Sequence, residues 1–372
     1  MLLSHRRYFA ALAFVALAAP LAVGVVRPDG AASVLKEGRR PAPAPSVPES
    51  LAGLADLPGQ LDAYLKDRFG LRQALLHAYR QIAKPMLGFG GTSVLIGRNG
   101  RMFYLGEDMV RQSAGLVMRD QKVSETAGLV AEIGAALARK GIRFLVATPP
   151  NSSTIDQDEL PVWAQNRGRD TEYDLFLRSL QARGVRTVDL RPAVAAARAE
   201  GEVYYRHDTH WTFRGAIAAF DAIAAADGHP DWRIDAESAL APPIVRKGGD
   251  LARMLGVEDS MTEPARMWGL PPVGTARNLT EGLTPDAEID AGRSGPTVLI
   301  IGDSFTANYF PPLLAQHVGR VVWMHFQHCA FDWGAIDRYR PDEVWWMPNE
   351  RALACDPGAR PLDFAAEAAA AK

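Results

Sequence analysis

The segment YYRHDTHWTFRGA, residues 204–216, holds Asp208 and His210 two positions apart. A carboxylate beside an imidazole fixes the ring's tautomer and stabilises the imidazolium, so the histidine can act as base for a hydroxyl nucleophile. A second segment, TVLIIGDSFTANYF, supplies that hydroxyl: Gly302-Asp303-Ser304 follows the apolar run Thr297–Ile301. In open parallel sheets, sites form at the carboxyl ends of the strands. Ser304 is therefore expected on the turn into the next helix, with its hydroxyl exposed. Its own N–H would face developing negative charge near a helix start. Each block has a plainer reading. Asp303 could simply cap the following helix, and His210 could be a hydrogen-bonded core histidine. His207, Asp208 and His210 could be metal ligands, but no HxxxH or carboxylate partner stands at a suitable spacing. Taken together, the blocks predict a nucleophile, Ser304, a base, His210, and an orienting acid, Asp208, with no metal and no cofactor.

Such a pair of blocks needs a scaffold that brings two loops to one edge. FLVA, VRTVDL, TVLII, GRVVWMHF and DEVWWMP read as strands, several of them apolar without alternation and hence buried on both faces. Helical segments alternate with them: one within 117–140, LFLRSLQARG, AVAAARAEG and RGAIAAFDAIAAADG. This alternation predicts an α/β fold around a mostly parallel sheet. SVLIGRNGRMFYL predicts a hairpin about Asn99-Gly100. Trp345 and Trp346 lie on a buried strand and read as core.

The 372 residues carry 41 Lys and Arg against 43 Asp and Glu, so the basic excess of a nucleic-acid binder is missing. At the N-terminus, Arg6 and Arg7 precede an uncharged run from Tyr8 to Val26. That pattern predicts a signal-anchor or signal peptide over 1–28, with the remainder outside the cytoplasm. A Pro/Ala-rich linker follows over 29–58, and the folded domain spans 59–372. LDAYLKDRFGLRQALLHAYRQI, from Leu61, reads as its first helix. Cys329 and Cys355 could be bridged in an exported protein, across a strand-turn-strand region.

Gly302-Asp303-Ser304 resembles the nucleophile block of the SGNH hydrolase superfamily. The order, with acid and base before the serine as Asp-x-His, resembles the alginate O-acetyltransferase family. YLKDRFGLR, GRNGRMFY, DTHWTFRGA, GDLARMLG and PDEVWWMPNERAL agree with it, over roughly residues 60–355. The resemblance implies an SGNH hydrolase-like three-layer fold and a periplasmic acetyltransferase of exopolysaccharide assembly, tethered to the inner membrane. It implies Ser304, His210 and Asp208 in the catalytic roles above. The Ser304 amide and Asn349 would serve as oxyanion donors, and Trp211, Asn151 and Tyr309 would touch substrate. Asn151 stands where the family would place a lysine. The implied partners are a polysaccharide acceptor such as alginate, a membrane-bound acyltransferase that supplies acetyl, and other exopolysaccharide assembly proteins. The same triad would also serve an acetylesterase, and a polysaccharide-binding scaffold with a vestigial triad is a third reading.

Overall fold

The computed structural model describes residues 43–46, 57–62, 64, 93–281, 284–326 and 331–354. The chain divides into two compact units, residues 1–92 with 253–256, and residues 93–252 with 257–372. In the first, residues 57–62 are helical. The expected anchor over 1–28, most of the linker, most of the helix from Leu61, and both Cys329 and Cys355 lie outside the described residues. Among the described residues no helix is long and apolar enough to cross a membrane.

The second unit opens with the hairpin. Strands β1 (Val94–Ile96) and β2 (Met102–Tyr104) pair antiparallel. The turn between them is possible because Asn99 and Gly100 accept φ of 54° and 77°. Helices and strands then alternate as the apolar pattern requires. Helix α1 (Asp120–Arg139) buries Val123, Ala127, Val130, Ile133 and Leu137, one face of a 3.6-residue period. After β3 (Arg143–Ala147), helix α2 (Glu172–Gln181) starts in a capping box between Thr171 and Asp174. Then come β4 (Thr187–Val188), α3 (Arg191–Ala197) and α4 (Phe213–Ala226), the last capped by the Thr212 hydroxyl on Gly215 N–H.

Two short antiparallel pairs follow, β5 (Ile244–Lys247) with β6 (Thr262–Ala265) and β7 (Thr275–Asn278) with β8 (Ala287–Asp290). The chain re-enters the sheet as β9 (Thr297–Gly302), turns through α5 (Ser304–Ala307), and continues as β10 (Arg320–His325), α6 (Trp333–Tyr339) and β11 (Glu343–Met347).

The central sheet has seven strands in the order β4-β3-β11-β9-β10-β8-β7. The first five run parallel, and β8 and β7 add an antiparallel edge. Side chains alternate across it into two cores. Leu145, Ile300, Trp323 and Trp345 face a core shared with α4. Phe144, Val146, Leu299, Ile301, Val322 and Trp346 face a core shared with α1, α2 and α6. Three layers result, and Trp345 and Trp346 each fill one core, as their strand predicts.

Candidate active site

Residues 204–211 fold back on themselves. Tyr204 and Trp211 form a bridge, and the Tyr205 N–H donates to the His210 carbonyl at 3.2 Å. Four residues are left in the loop, and Asp208 is third among them. The Met102 N–H donates to the Arg206 carbonyl at 2.8 Å, which ties the loop to β2. Trp211 anchors the loop below. Its indole N–H donates to the Phe305 carbonyl at 2.8 Å, and its ring stacks on Phe310. The His210 loop is thereby fastened directly to the Ser304 turn, 94 residues away.

That turn is shaped by Gly302 and Asp303. A Cβ on Gly302 would lie 2.2 Å from the Thr306 hydroxyl, so only glycine fits. The Asp303 carboxylate accepts the Phe305 N–H at 2.9 Å with one oxygen and the Asn349 N–H at 3.0 Å with the other. Asp303 is thus both helix cap and cross-tie between the ends of β9 and β11. Ser304 occupies the first position of α5, where a helix leaves N–H groups without an internal acceptor. With four residues, α5 contributes little macrodipole, so the helix-start effect expected from sequence reduces to that N–H itself.

The three expected residues meet. His210 Nε2 lies 2.8 Å from Ser304 Oγ, and His210 Nδ1 lies 2.7 Å from Asp208 Oδ1. The same Asp208 oxygen accepts the His210 backbone N–H at 3.1 Å. The other accepts from Arg246 Nη2 at 2.6 Å and from the Asp250 N–H at 3.2 Å. Burial would raise the Asp208 carboxyl, but His210 and Arg246 outweigh it and hold it well below the usual carboxylate range. Burial would lower the His210 ring, but the hydrogen bond and charge of Asp208, with Asp250 behind, leave it above its ordinary value. The ring is three-quarters covered, so Asp208 acts on it through little water.

Asp250, Arg246 and Glu263 were not singled out from sequence. They sit 38 to 55 positions beyond Asp208, on elements without an apolar pattern, and no motif spacing marks them. GDLARMLG contains Asp250 but shows no role for it. Ligand atoms of Asp208, His210 and Asp250 lie within 4.8 Å of one another. They are spent on each other, on Arg246 and on Thr209, and a cation there would compete with the Arg246 guanidinium.

The expected substrate contacts fare differently. Trp211 is fully buried, so it holds the site up from beneath and offers no face to a ligand. Asn151 is also fully buried; its N–H donates to Glu350 at 2.8 Å and its amide to Gln112 at 3.3 Å. Tyr309 is buried as well, with 8% of its surface exposed, and packs on Phe213 and Trp211. Asn349 caps a short turn: its amide donates to the Pro149 carbonyl at 3.1 Å and its oxygen accepts the Arg351 N–H at 3.2 Å. Those bonds tie the Asn349 side chain to backbone on either side of it.

Comparisons with known proteins converge on one family. The model described as SGNH hydrolase-like domain, acetyltransferase AlgX, matches residues 94–349. A Pseudomonas putida protein named "Probable alginate O-acetylase AlgJ" is 26% identical over 233 residues, 59% of this chain and 56% of that protein. The protein of the same name from Pseudomonas syringae pv. tomato is 20% identical over 263 residues, 66% and 62% of the two. The chain thus spans 56% and 62% of the length of these curated relatives. Among solved structures, the O-acetyltransferase domain of Pseudomonas putida AlgJ superposes with a TM-score of 0.52 at 19% identity, covering 76% of this chain and all of that one. PatB1 of Bacillus cereus superposes with a TM-score of 0.53 at 14% identity, covering 72% and 98%. The fold is SGNH hydrolase-like, with a mostly parallel central sheet.

Proposed function

Because the chain belongs to the family of SGNH hydrolase-like acetyltransferase domains typified by AlgX, we propose that it moves an acetyl group through Ser304 onto hydroxyls of an exported polysaccharide, alginate or a related glycan. One observation carries the reading: the unbroken chain Ser304 Oγ, His210 Nε2, His210 Nδ1, Asp208 Oδ1, with links of 2.8 and 2.7 Å. In the first half-reaction Ser304 Oγ attacks the acetyl carbonyl while His210 takes its proton. The tetrahedral intermediate collapses, the donor's leaving group departs with that proton, and acetyl-Ser304 remains. In the second, His210 takes the proton of a sugar hydroxyl, the sugar oxygen attacks the acetyl carbonyl, and Ser304 leaves and recovers the proton. The Ser304 N–H lies beside the carbon under attack and serves as oxyanion donor. Asn349 has its side chain tied to backbone and is better suited to hold the turn than to meet the oxyanion.

For the acceptor, Trp163 is the prominent open aromatic. It is 60% exposed in the turn Val162–Ala164, within the segment that joins β3 to α2. Its turn is fixed by the buried Ala164 and by the Ala164 N–H on the Pro161 carbonyl at 2.9 Å. An exposed indole is a stacking face for a pyranose ring. Acetyl would come from a membrane acyltransferase, with the protein held on the outer side of the cytoplasmic membrane by its N-terminal segment and working beside other exopolysaccharide assembly proteins.

The test is to incubate the protein with 4-nitrophenyl acetate and, in parallel, with uronic and neutral oligosaccharides. Acetyl-Ser304 and acetylated oligosaccharide, both found by mass spectrometry and both lost in Ser304→Ala, are expected. Release of acetate alone, whatever the sugar, would replace transfer with hydrolysis. Equal turnover in Ser304→Ala would remove the covalent route.

A further inference from the structure

The β5–β6 hairpin stands outside the seven-stranded sheet, yet both of its strands reach the base loop. Arg246 and Glu263 are directly opposed across it. The Arg246 guanidinium lies 4.2 Å from the Tyr205 ring centre, donates to Glu263 at 3.0 Å, and donates to Asp208 at 2.6 Å. Glu263 in turn accepts the Arg206 N–H at 2.5 Å. From the next segment, Asp250 gives its N–H to Asp208 and takes the Thr209 N–H at 2.7 Å and the Thr209 hydroxyl. One of its carboxylate oxygens comes within 3.7 Å of His210 Nδ1. Each group between Arg206 and His210 that shapes the Asp208–His210 pair is therefore gripped from outside the loop.

The charges oppose one another. Asp208 and Asp250 face the imidazole directly, with Arg246 behind Asp208 and Arg351 5.6 Å from the centre of the Phe305 ring on which His210 packs. Glu263 and His207 sit one layer out, 3.9 Å apart. We propose that Arg246 and Asp250 are positioning residues that act through this geometry to set the proton affinity of His210. Arg246 neutralises part of the Asp208 charge and keeps the base from becoming too basic. Asp250 adds charge on the same ring nitrogen and works the other way. The proposal rests on the acyl-transfer reading for its consequence in turnover, but not for its consequence in titration.

Two variants separate the residues. Removing the cation leaves Asp208 uncompensated, so Arg246→Gln should raise the acidic limb of the kcat/KM profile for an acetyl ester, by roughly one pH unit. Removing the anion, Asp250→Asn should lower that limb by a similar or smaller amount. Arg246→Lys keeps the charge and should keep the limb near its original position, with a lower plateau because the fork of hydrogen bonds is lost. A purely structural role would lower the plateau and leave the limbs in place. NMR titration of protein labelled at histidine, with the His210 signal identified by its loss in His210→Gln, reads the same shifts without any turnover. Failure of the brace is thereby distinct from failure of acyl transfer. If Arg246→Gln does not fold, Arg246→Lys against Asp250→Asn still decides the matter. Limbs and His210 titrations that coincide in all folded variants, or that move in the same direction when cation and anion are removed, would overturn the proposal.

Discussion

Glu350 should make the protein lose stability as pH rises, and a single substitution should remove its share of that loss. Glu350 is fully buried where the end of β11 meets the loop after β3. One carboxylate oxygen accepts the Asn151 N–H at 2.8 Å and the Thr154 hydroxyl at 2.7 Å; the other has no hydrogen-bond partner among the described residues. Burial outweighs those bonds and pushes the carboxyl up to about 7 from 4.5. Because the folded form holds the proton longer than the unfolded one, its contribution is present below 4.5 and disappears as pH climbs through about 7. A difference of that size corresponds to about 3 kcal/mol, an upper figure because local relaxation screens a buried charge. Gln in place of Glu350 keeps an acceptor for Asn151 and Thr154 and removes the charge. Glu343, pushed up to about 7, and Asp156 and Asp221, pushed up to about 6, titrate in the same range but are common to both proteins. The quantity to measure is therefore the difference in urea-unfolding free energy between Glu350→Gln and the parent, from pH 4 to pH 8. The two should be close at pH 4, and the variant should pull ahead by up to about 3 kcal/mol at pH 8. A difference that stays flat, or a variant weaker at pH 8, would refute the reasoning.

Ser304→Ala and His210→Ala should each cut ester turnover by roughly a thousandfold or more, and the double variant should be little worse. Additive losses in steady-state kinetics would mean that the two do not act as a unit. Gly249→Ala should cost on the order of 3 kcal/mol and most activity, since φ is +142° and the new Cβ would meet the His207 carbonyl at 2.0 Å; a normal urea midpoint would contradict this. Trp163→Ala should raise KM for an oligosaccharide acceptor roughly tenfold while leaving turnover of a small acetyl ester unchanged. An unaltered acceptor KM would take Trp163 out of the acceptor site.

Sequence exposed the parts of this molecule that depend on chain-local chemistry. Thr297–Gly302 had to be a buried strand because its run is apolar without alternation, and Asn99-Gly100 had to turn because few other pairs accept positive φ twice. That Ser304, His210 and Asp208 would meet was legible because acyl-transfer chemistry would place those types on loops at one sheet edge. The antiparallel edge was not. Thr275–Asn278 is exposed along its whole length, so no hydrophobic period marks it as a strand. Arg246, Asp250 and Glu263 were hidden for a related reason: an arginine and two acids on surface-like segments look solvated until the fold turns them inward. Trp211 and Asn151 were placed in the right neighbourhood and on the wrong side, since spacing along a loop does not say which side chain supports the site and which faces the ligand.

One property of the sheet bears on how the Ser304 turn comes to be fixed. The middle of its five parallel strands, between β3 and β9, is β11, the last strand among the described residues. A polypeptide made from its amino end therefore has the His210 loop, and later the Ser304 turn, before the strand that pairs with both β3 and β9. Until β11 arrives, β3 and β9 each present an open edge, and the Asn349 N–H that ties the β9 turn in place is missing. The Ser304 turn is thus tied in place only once β11 has been made. The same strand order makes this a slow, non-local assembly in which chains that lack β11 are adhesive.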